Sequence, residues 1–396
     1  MPMEKEIYLD HASTTYVDPV VKEAMDRYMT KDFGNPSSLN TLGLHAKEAI
    51  DNARESVAMV LNCSPSEIIF TGSGTESNNL AIQGVAKALK GKGRHIITSK
   101  IEHSSVLNVC KALEEEGFEV AYIDVDRNGL VNCEKLEKAI RPDTILISIM
   151  YANNEIGAVQ PVSDIGKIAR KHNVYFHTDA CQAAGAFELD VDKLGVDLLT
   201  VNGGKIYGPK GVGALYIRQG VKIKPIIHGG GQEKGLRSGT ENVPGIVGFA
   251  KALELAEKFR PDETKRLSAL RDKLVADILK KIPKSFLNGH PTKRLPNNVN
   301  VTILDVEGES LVLHLNECGV YVSTKSACSS KKLETSHVLK ALGLPSEAAH
   351  CSIRLTLGKK TTEEDIDSAV EALVKTVGEL RKISPVRLKP SQIFAK

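Results

Sequence analysis

Polar residues of chemically useful types follow several short apolar runs that are typical of buried strands. The runs HIITS, TILISIMY, VYFHTDA and LLTVN lead into or end at His103, Asn154, Asp179 and Lys205. In open α/β sheets ligands gather at the carboxyl ends of the strands, so these four side chains are expected on one rim. Taken singly, Asp179 also fits a helix cap, His103 a core niche and Lys205 a solvated turn.

Two glycine-rich segments raise the question of phosphate binding. Residues 201–211, VNGGKIYGPKG, have Pro209 where a nucleotide-binding loop needs lysine, which excludes that type of loop. Residues 72–77, GSGTES, follow the strand-like EIIF and precede a helical pattern, but they lack the third glycine of a dinucleotide fingerprint. Free N–H groups and hydroxyls at a helix start form an anion cup, although Gly-Ser-Thr is also ordinary N-cap chemistry.

The combination of these residues indicates one kind of cofactor. Pyridoxal 5'-phosphate (PLP) needs a lysine for a Schiff base, an acid facing its ring nitrogen and a cradle for its phosphate. Lys205, Asp179 and the anion cup of residues 72–77 supply these three groups. The sequence therefore predicts a PLP site at the carboxyl edge of the sheet.

With those residues identified, the chain resembles the cysteine desulfurases, fold-type I PLP enzymes of the class-V aminotransferase family that supply sulfur for iron–sulfur cluster assembly. The similarity extends from residue 8 to residue 358. Its motifs, in order, are YLDHASTT, FGNPSS, TGSGTESNN, NNEIG, HTDACQ, KIYGPKG, HGGGQEKGLRSGT, SACSS and SIRLTLG.

The resemblance assigns a role to each residue around the cofactor ring. Lys205 corresponds to the Schiff-base lysine, Asp179 pairs with the pyridine nitrogen, and Gln182 bonds the phenolate oxygen. His103 stacks on the ring and takes part in proton transfer. Asn154 helps to position the ring and the substrate.

The resemblance also implies the phosphate and substrate contacts. Gly74 and Thr75 hold the phosphate, with Asn202 as a further donor. Thr240 reaches the phosphate of the neighbouring subunit, which implies a homodimer with shared sites. Arg354 clamps the carboxylate of the L-cysteine substrate in the bidentate way that arginine allows.

The sulfur acceptor implied by the resemblance is Cys328. Its surroundings, STKSACSSKK, are small, polar and basic, and nearby lysines favour the thiolate form. L-Cysteine then yields L-alanine and a Cys328 persulfide, which an iron–sulfur scaffold protein accepts; transient cluster ligation by Cys328 stays open, and no other metal site is predicted. The alternatives are a selenocysteine lyase or aminotransferase relative, and a sulfur-carrying docking protein of this fold with little bound cofactor.

One position departs from the family pattern. Relatives commonly have Ser-x-His-Lys where this chain has Asn202, Gly203, Gly204 and Lys205, and the serine and histidine both donate to the cofactor phosphate. Because Gly204 has no side chain, the sequence predicts that this protein holds PLP more weakly than its relatives do.

The elements that position these residues are predicted from the alternation of strands and helices. Alternation over the first 260 residues predicts an α/β protein with a mostly parallel sheet, and the resemblance implies PLP-dependent transferase fold type I. Residues 15–258 are assigned to a large PLP-binding domain. Residues 1–14 and 259–396 are assigned to a smaller α+β domain that carries the cysteine loop and the tail.

Two helices of the smaller domain carry more detailed expectations. The helical pattern from about residue 245 to 281 is predicted to be interrupted at Pro261 and Asp262. The last helix is predicted to begin with Thr361 and Glu364 as its capping box.

The composition indicates which partners and which cellular location are expected. The 396 residues contain 52 Lys and Arg against 49 Asp and Glu, so nucleic acid is not expected as a partner. No run of 18 apolar residues predicts a membrane span. Seven cysteines without CxxC spacing favour a reducing compartment, and the predicted location is cytoplasmic.

Overall fold

The computed structural model describes residues 5–324, 335–385 and 387–388. In chain order its strands are β1 Ile7–Tyr8, β2 Ile68–Thr71, β3 His95–Ser99, β4 Glu119–Ile123, β5 Thr144–Ser148, β6 Tyr175–Asp179, β7 Leu198–Asn202, β8 Gly213–Ile217, β9 Ser285–Leu287, β10 Asn298–Ile303, β11 Val320–Tyr321 and β12 Ser352–Thr356. The α-helices are α1 Pro19–Thr30, α2 Thr41–Leu61, α3 Gly74–Leu89, α4 Ser104–Glu115, α5 Cys133–Lys138, α6 Val162–Lys171, α7 Val191–Leu194, α8 Val243–Lys281, α9 Gly308–Glu317, α10 His337–Ala341, α11 Ser346–Ala349 and α12 Glu363–Ile383.

The largest sheet has seven strands in the order β2-β8-β7-β6-β5-β3-β4. Its neighbours pair in parallel except for β8, which is antiparallel to both β7 and β2. The predicted mostly parallel sheet is therefore confirmed. Strands β2, β3, β5, β7 and β8 are almost wholly buried, which explains their continuous apolar composition.

The sheet is covered by helices, and several begin where a polar side chain caps them. Helix α3 starts after Ser73, whose hydroxyl accepts from the N–H of Glu76, and α4 starts after His103, whose Nδ1 accepts from the N–H of Ser105. These caps determine the residues at which α3 and α4 begin after β2 and β3. They also place both helix starts at the carboxyl edge of the sheet.

A second sheet, β12-β10-β9, is antiparallel and belongs to a separate apolar cluster. That cluster contains Ile7 and Leu9 from the N-terminal segment together with residues between 267 and 380. The apolar cluster beneath α1, α2 and α8 is formed instead by residues between 21 and 253. The domain boundaries at 14/15 and 258/259 stay a prediction, and α8 runs without a break through the second of them.

Two detailed predictions were wrong. Helix α8 is 39 residues long and includes Pro261, so the proline does not interrupt it. A proline removes one hydrogen bond from a helix, and here packing against α1, α2 and α12 outweighs that loss. The capping box of α12 is formed by Thr362 and Asp365, one residue later than predicted, because the Thr361 hydroxyl instead accepts from the N–H of Gly358.

Candidate active site

A cleft of about 190 Å³ lies at the carboxyl edge of the seven-stranded sheet. Its wall includes nine of the predicted site residues: Gly74, Thr75, His103, Asn154, Asp179, Gln182, Asn202, Lys205 and Arg354. They come from the ends of β2, β3, β5, β6, β7 and from β12 of the second sheet. The cleft thus lies between the seven-stranded sheet and β12 of the second sheet.

A hydrogen-bonded chain connects Asp179 to His103. Asn78 donates from Nδ2 to Asp179 Oδ2 at 2.7 Å and to Ser105 Oγ at 2.8 Å. Ser105 in turn contacts His103 Nδ1 through its hydroxyl at 2.8 Å and through its N–H at 3.1 Å. Because Nδ1 accepts from that N–H, a neutral His103 carries its proton on Nε2.

Lys205 sits at the end of a tight 3₁₀ turn, Gly203–Lys205, that follows β7. Its Nζ donates to the carbonyl oxygen of Ala12 at 2.8 Å and also to that of Ser13. Gln182 donates from Nε2 to the same Ala12 oxygen at 3.0 Å. The turn requires glycine at 203, since a Cβ there would lie 2.6 Å from the carbonyl oxygen of Pro209.

Arg354 is 1% exposed, although it is a charged residue in the centre of β12. Its Nη2 donates to Asp10 Oδ1 and to Ser13 Oγ, each at 2.7 Å, and its Nη1 donates to the carbonyl oxygen of Asn154 at 3.0 Å. Its Nε has no hydrogen-bond partner within the described chain. The guanidinium is therefore fixed in one orientation while keeping an unused donor.

The residues of the cleft fit PLP. The buried oxygens Asn78 Oδ1 and Asn202 Oδ1 lack a hydrogen-bond partner among the residues that the structure describes. A Cβ at position 74 would lie 2.7 Å from Cys181 Sγ and 2.9 Å from Asn202 Nδ2, so only glycine admits this close approach at the start of α3. Helix-start N–H groups can donate to a phosphate, a lysine amine can condense with an aldehyde, and a carboxylate can accept from a protonated pyridine nitrogen.

Burial determines the protonation of Cys181, on the cleft wall, and of His177, which does not line it. Burial lowers the pKa of His177 to about 4, despite the nearby Asp179 carboxylate, and the ring bonds Ser148 Oγ at 2.9 Å and Thr200 Oγ1 at 3.0 Å. Burial, reinforced by Asp179, raises the pKa of Cys181 well above its usual value. At neutral pH His177 is uncharged and Cys181 is a thiol, which makes Cys181 a poor nucleophile.

Two predicted residues are not on this wall. Thr240 is exposed and does not line the cleft of its own chain. Cys328 lies outside the described residues. The sequence patterns did not predict Asn78, Ser105 or Asp10. Asn78 follows Gly74 by four residues and therefore lies on the same helix face, and this spacing could have indicated its place in the site.

The chain matches the class-V aminotransferase family over residues 7–369. It is 53% identical to the cysteine desulfurase IscS of Dictyoglomus turgidum over 97% of this chain and 98% of that protein. It is 54% identical to the cysteine desulfurase IscS of Methanosarcina thermophila over 97% and 95% of the two chains.

Solved structures agree with these sequence matches. A NifS-like protein, 41% identical, superimposes with a TM-score of 0.90 over 95% of this chain and all of the other. A NifS-like protein from Rickettsia africae, 34% identical, superimposes with a TM-score of 0.86 over 94% and 100% of the two chains. These similarities confirm the predicted fold type I.

Proposed function

Because the chain belongs to the class-V aminotransferase family and is a PLP-dependent cysteine desulfurase, we propose that it leaves the sulfur of L-cysteine as a persulfide on Cys328. This proposal is supported by one observation: the same cleft is lined by Lys205, Asp179 and Arg354. A lysine, a carboxylate and a buried guanidinium are the groups that an amino-acid-converting PLP site needs.

The residues that hold the cofactor are proposed as follows. Lys205 bonds the cofactor aldehyde, Asp179 faces the ring nitrogen and Gln182 faces the ring oxygen. Gly74 and Thr75 bind the phosphate through the start of α3, and Asn202 adds a side-chain donor. When bound, PLP withdraws electrons from the substrate and thereby labilises its bonds.

Two donors hold the Asp179 carboxylate in place. Asn78 Nδ2 at 2.7 Å and the N–H of Cys181 at 3.0 Å both bond its carboxylate. The same Asn78 orders Ser105 and, through it, His103. With Nδ1 occupied in this way, His103 presents Nε2 as the atom that gives or takes a proton.

Substrate selection is proposed to rest on Arg354 and Asn154. Asp10, Ser13 and the carbonyl of Asn154 hold the guanidinium before any substrate arrives. A preorganised guanidinium binds a carboxylate without having to be ordered at that moment. Arg354 also lines the cleft, so its guanidinium is placed to meet an amino-acid carboxylate.

The sulfur step is proposed to use the Cys328 thiolate as nucleophile. It attacks the substrate sulfur; the carbon–sulfur bond breaks, a sulfur–sulfur bond forms, and the substrate carbon takes up a proton. L-Cysteine and the Cys328 thiol together become L-alanine and the Cys328 persulfide, with no outside oxidant. Burial raises the pKa of Cys63 and Cys110 to about 12 and also raises that of Cys133 and Cys351, which disfavours these cysteines as nucleophiles.

The protein is proposed to work as a homodimer in which Thr240 binds the phosphate held by the neighbouring subunit. Leu39 and Leu44 are 94% and 53% exposed, so two large apolar side chains lie on one surface. Both line a surface cleft together with residues 230–234. An apolar surface next to the segment that carries Thr240 suits contact with a second copy.

The acceptor of the persulfide sulfur is proposed to be an iron–sulfur scaffold protein, and the location is proposed to be the cytoplasm. No helix within the part of the chain that the structure describes is long and apolar enough to cross a bilayer.

The test is a desulfuration assay with L-cysteine and added PLP, followed by mass analysis of the peptide that contains Cys328. We expect equal initial amounts of alanine and persulfide, and a Cys328→Ala variant that makes no persulfide. Cys318→Ala serves as the control and should react like the wild type. Alanine formation at the full rate by Cys328→Ala would refute the role of Cys328.

A further inference from the structure

An ion pair joins the start of α3 to the segment that carries Thr240. Arg237 Nε donates to Glu76 Oε1 at 2.8 Å, and the other carboxylate oxygen, Oε2, accepts from the N–H of Gly72 at 2.9 Å. The two side chains are only 25% and 18% exposed. Both pack on Gly72, where a Cβ would lie 2.7 Å from Glu76 Oε2 and 3.5 Å from Arg237 Nη2.

Residues 227–240 form a constrained segment. Glu233 and Lys234 have positive φ angles of 46° and 59°, a conformation that is unfavourable for non-glycine residues. Two hydrogen bonds from Arg54 to the Glu233 carboxylate, at 2.9 and 2.6 Å, offset that cost. Gln232 accepts from the N–H of Gly239 at 2.9 Å, next to Thr240.

The negative charge of Glu76 is unfavourable for phosphate binding at the cup. Its backbone belongs to the first turn of α3, one residue after Thr75, whose surface lines the cleft. A carboxylate at this position opposes a phosphate dianion, and it also withdraws the Gly72 N–H from the donors of the cup. The guanidinium of Arg237 compensates that negative charge at 2.8 Å.

We propose that Glu76 and Arg237 act as one positioning pair for the cofactor phosphate. Glu76 fixes Gly72 at the start of the cup, and Arg237 neutralises Glu76 and ties the Thr240 segment to the cup. The inference rests on the proposed PLP site and extends it to two residues that do not line the cleft.

The test measures the PLP affinity of the wild type, Glu76→Gln, Arg237→Gln and the double variant by absorbance titration at low salt. Loss of Arg237 exposes the phosphate to an uncompensated carboxylate, so affinity should fall by roughly 5- to 20-fold. Glu76→Gln should bind at least as tightly as the wild type. The double variant should recover most of the loss, and added salt should reduce the defect of Arg237→Gln.

Arg141→Gln is the matched control, because it removes an arginine from the ion pairs with Glu119 and Asp143 far from the cleft wall. It should leave PLP affinity unchanged. Arg237→Lys keeps the charge and serves as the second variant if Arg237→Gln is unstable, with affinity expected near that of the wild type. Equal affinity in Arg237→Gln and wild type, or no recovery in the double variant, overturns the inference and leaves the desulfurase site standing; a wild type that binds no PLP overturns both.

Discussion

Asn78 and Asp179 form a 2.7 Å hydrogen bond in the interior of the protein, with the amide nitrogen as donor. Asn78 is 1% exposed and Asp179 is 8% exposed, so water does not substitute readily for this contact. The amide therefore fixes the position of the carboxylate without adding a charge of its own.

Asn78→Asp keeps the shape of the side chain but replaces the donor with a second carboxylate. We expect the free energy of unfolding at pH 8 to fall by roughly 2–4 kcal/mol, since two buried carboxylates in contact cannot both ionise cheaply. The loss should shrink as the pH falls and one carboxyl takes up a proton. Chemical denaturation at several pH values measures both effects.

Asn79→Asp is the control for that substitution because Asn79 is the partly exposed neighbour on α3. It should change the free energy of unfolding by less than about 0.5 kcal/mol. An equal effect of the two substitutions would show that the contact with Asp179 is not the cause.

Arg354→Lys tests whether the fixed guanidinium recognises the substrate carboxylate. A lysine keeps the positive charge but cannot bond Asp10, Ser13 and the Asn154 carbonyl from one planar group. We expect kcat/KM for L-cysteine to fall roughly 100-fold, mainly through KM. Arg141→Lys, at an exposed ion pair, should leave the steady-state constants unchanged; an unchanged KM in Arg354→Lys would contradict the assignment.

The lowered pKa of His177 predicts a loss of stability in mild acid. Its folded pKa is about 4, below the ordinary value of 6.5, so the unfolded chain binds more protons between those pH values. The stabilisation is thus fully present above pH 6.5 and is lost as the pH falls toward 4, with a total of about 3 kcal/mol. His177→Gln does not titrate, so its unfolding free energy should fall less steeply over this range; parallel pH profiles for the two proteins would contradict the prediction.

The sequence predicted the parts of the fold and site that depend on local pattern. Strand ends, the turn before Lys205 and the helix start after Ser73 follow from runs of apolar residues, glycines and capping residues. Contacts between distant segments were not predictable in this way. Asp10 lies 344 residues from Arg354, and no local pattern shows that a buried arginine is neutralised by the N-terminal segment.

The two wrong helix predictions have the same origin. Pro261 lies inside a helix because tertiary packing overrides its local preference, and Thr361 loses the capping position because it bonds Gly358 across a turn. In each case the local sequence preference is real, but a contact between segments of the folded chain determines where the helix begins or continues.

Gly204 provides the most direct test of how tightly this protein holds PLP. Among the described residues, a Cβ at this position would have only Lys210 Cγ within 4 Å, at 3.6 Å, so a larger side chain has room. The Gly204 carbonyl accepts from the N–H of Thr15 at 3.0 Å, which keeps the backbone in place.

Gly204→His adds a donor toward the phosphate and should raise PLP affinity by roughly 10- to 150-fold, corresponding to about 1.5–3 kcal/mol. Gly204→Ala fills the same space without a donor and should bind like the wild type. Absorbance titration of the three proteins measures the difference, and a histidine variant no tighter than the alanine variant would show that the missing donor does not limit cofactor binding.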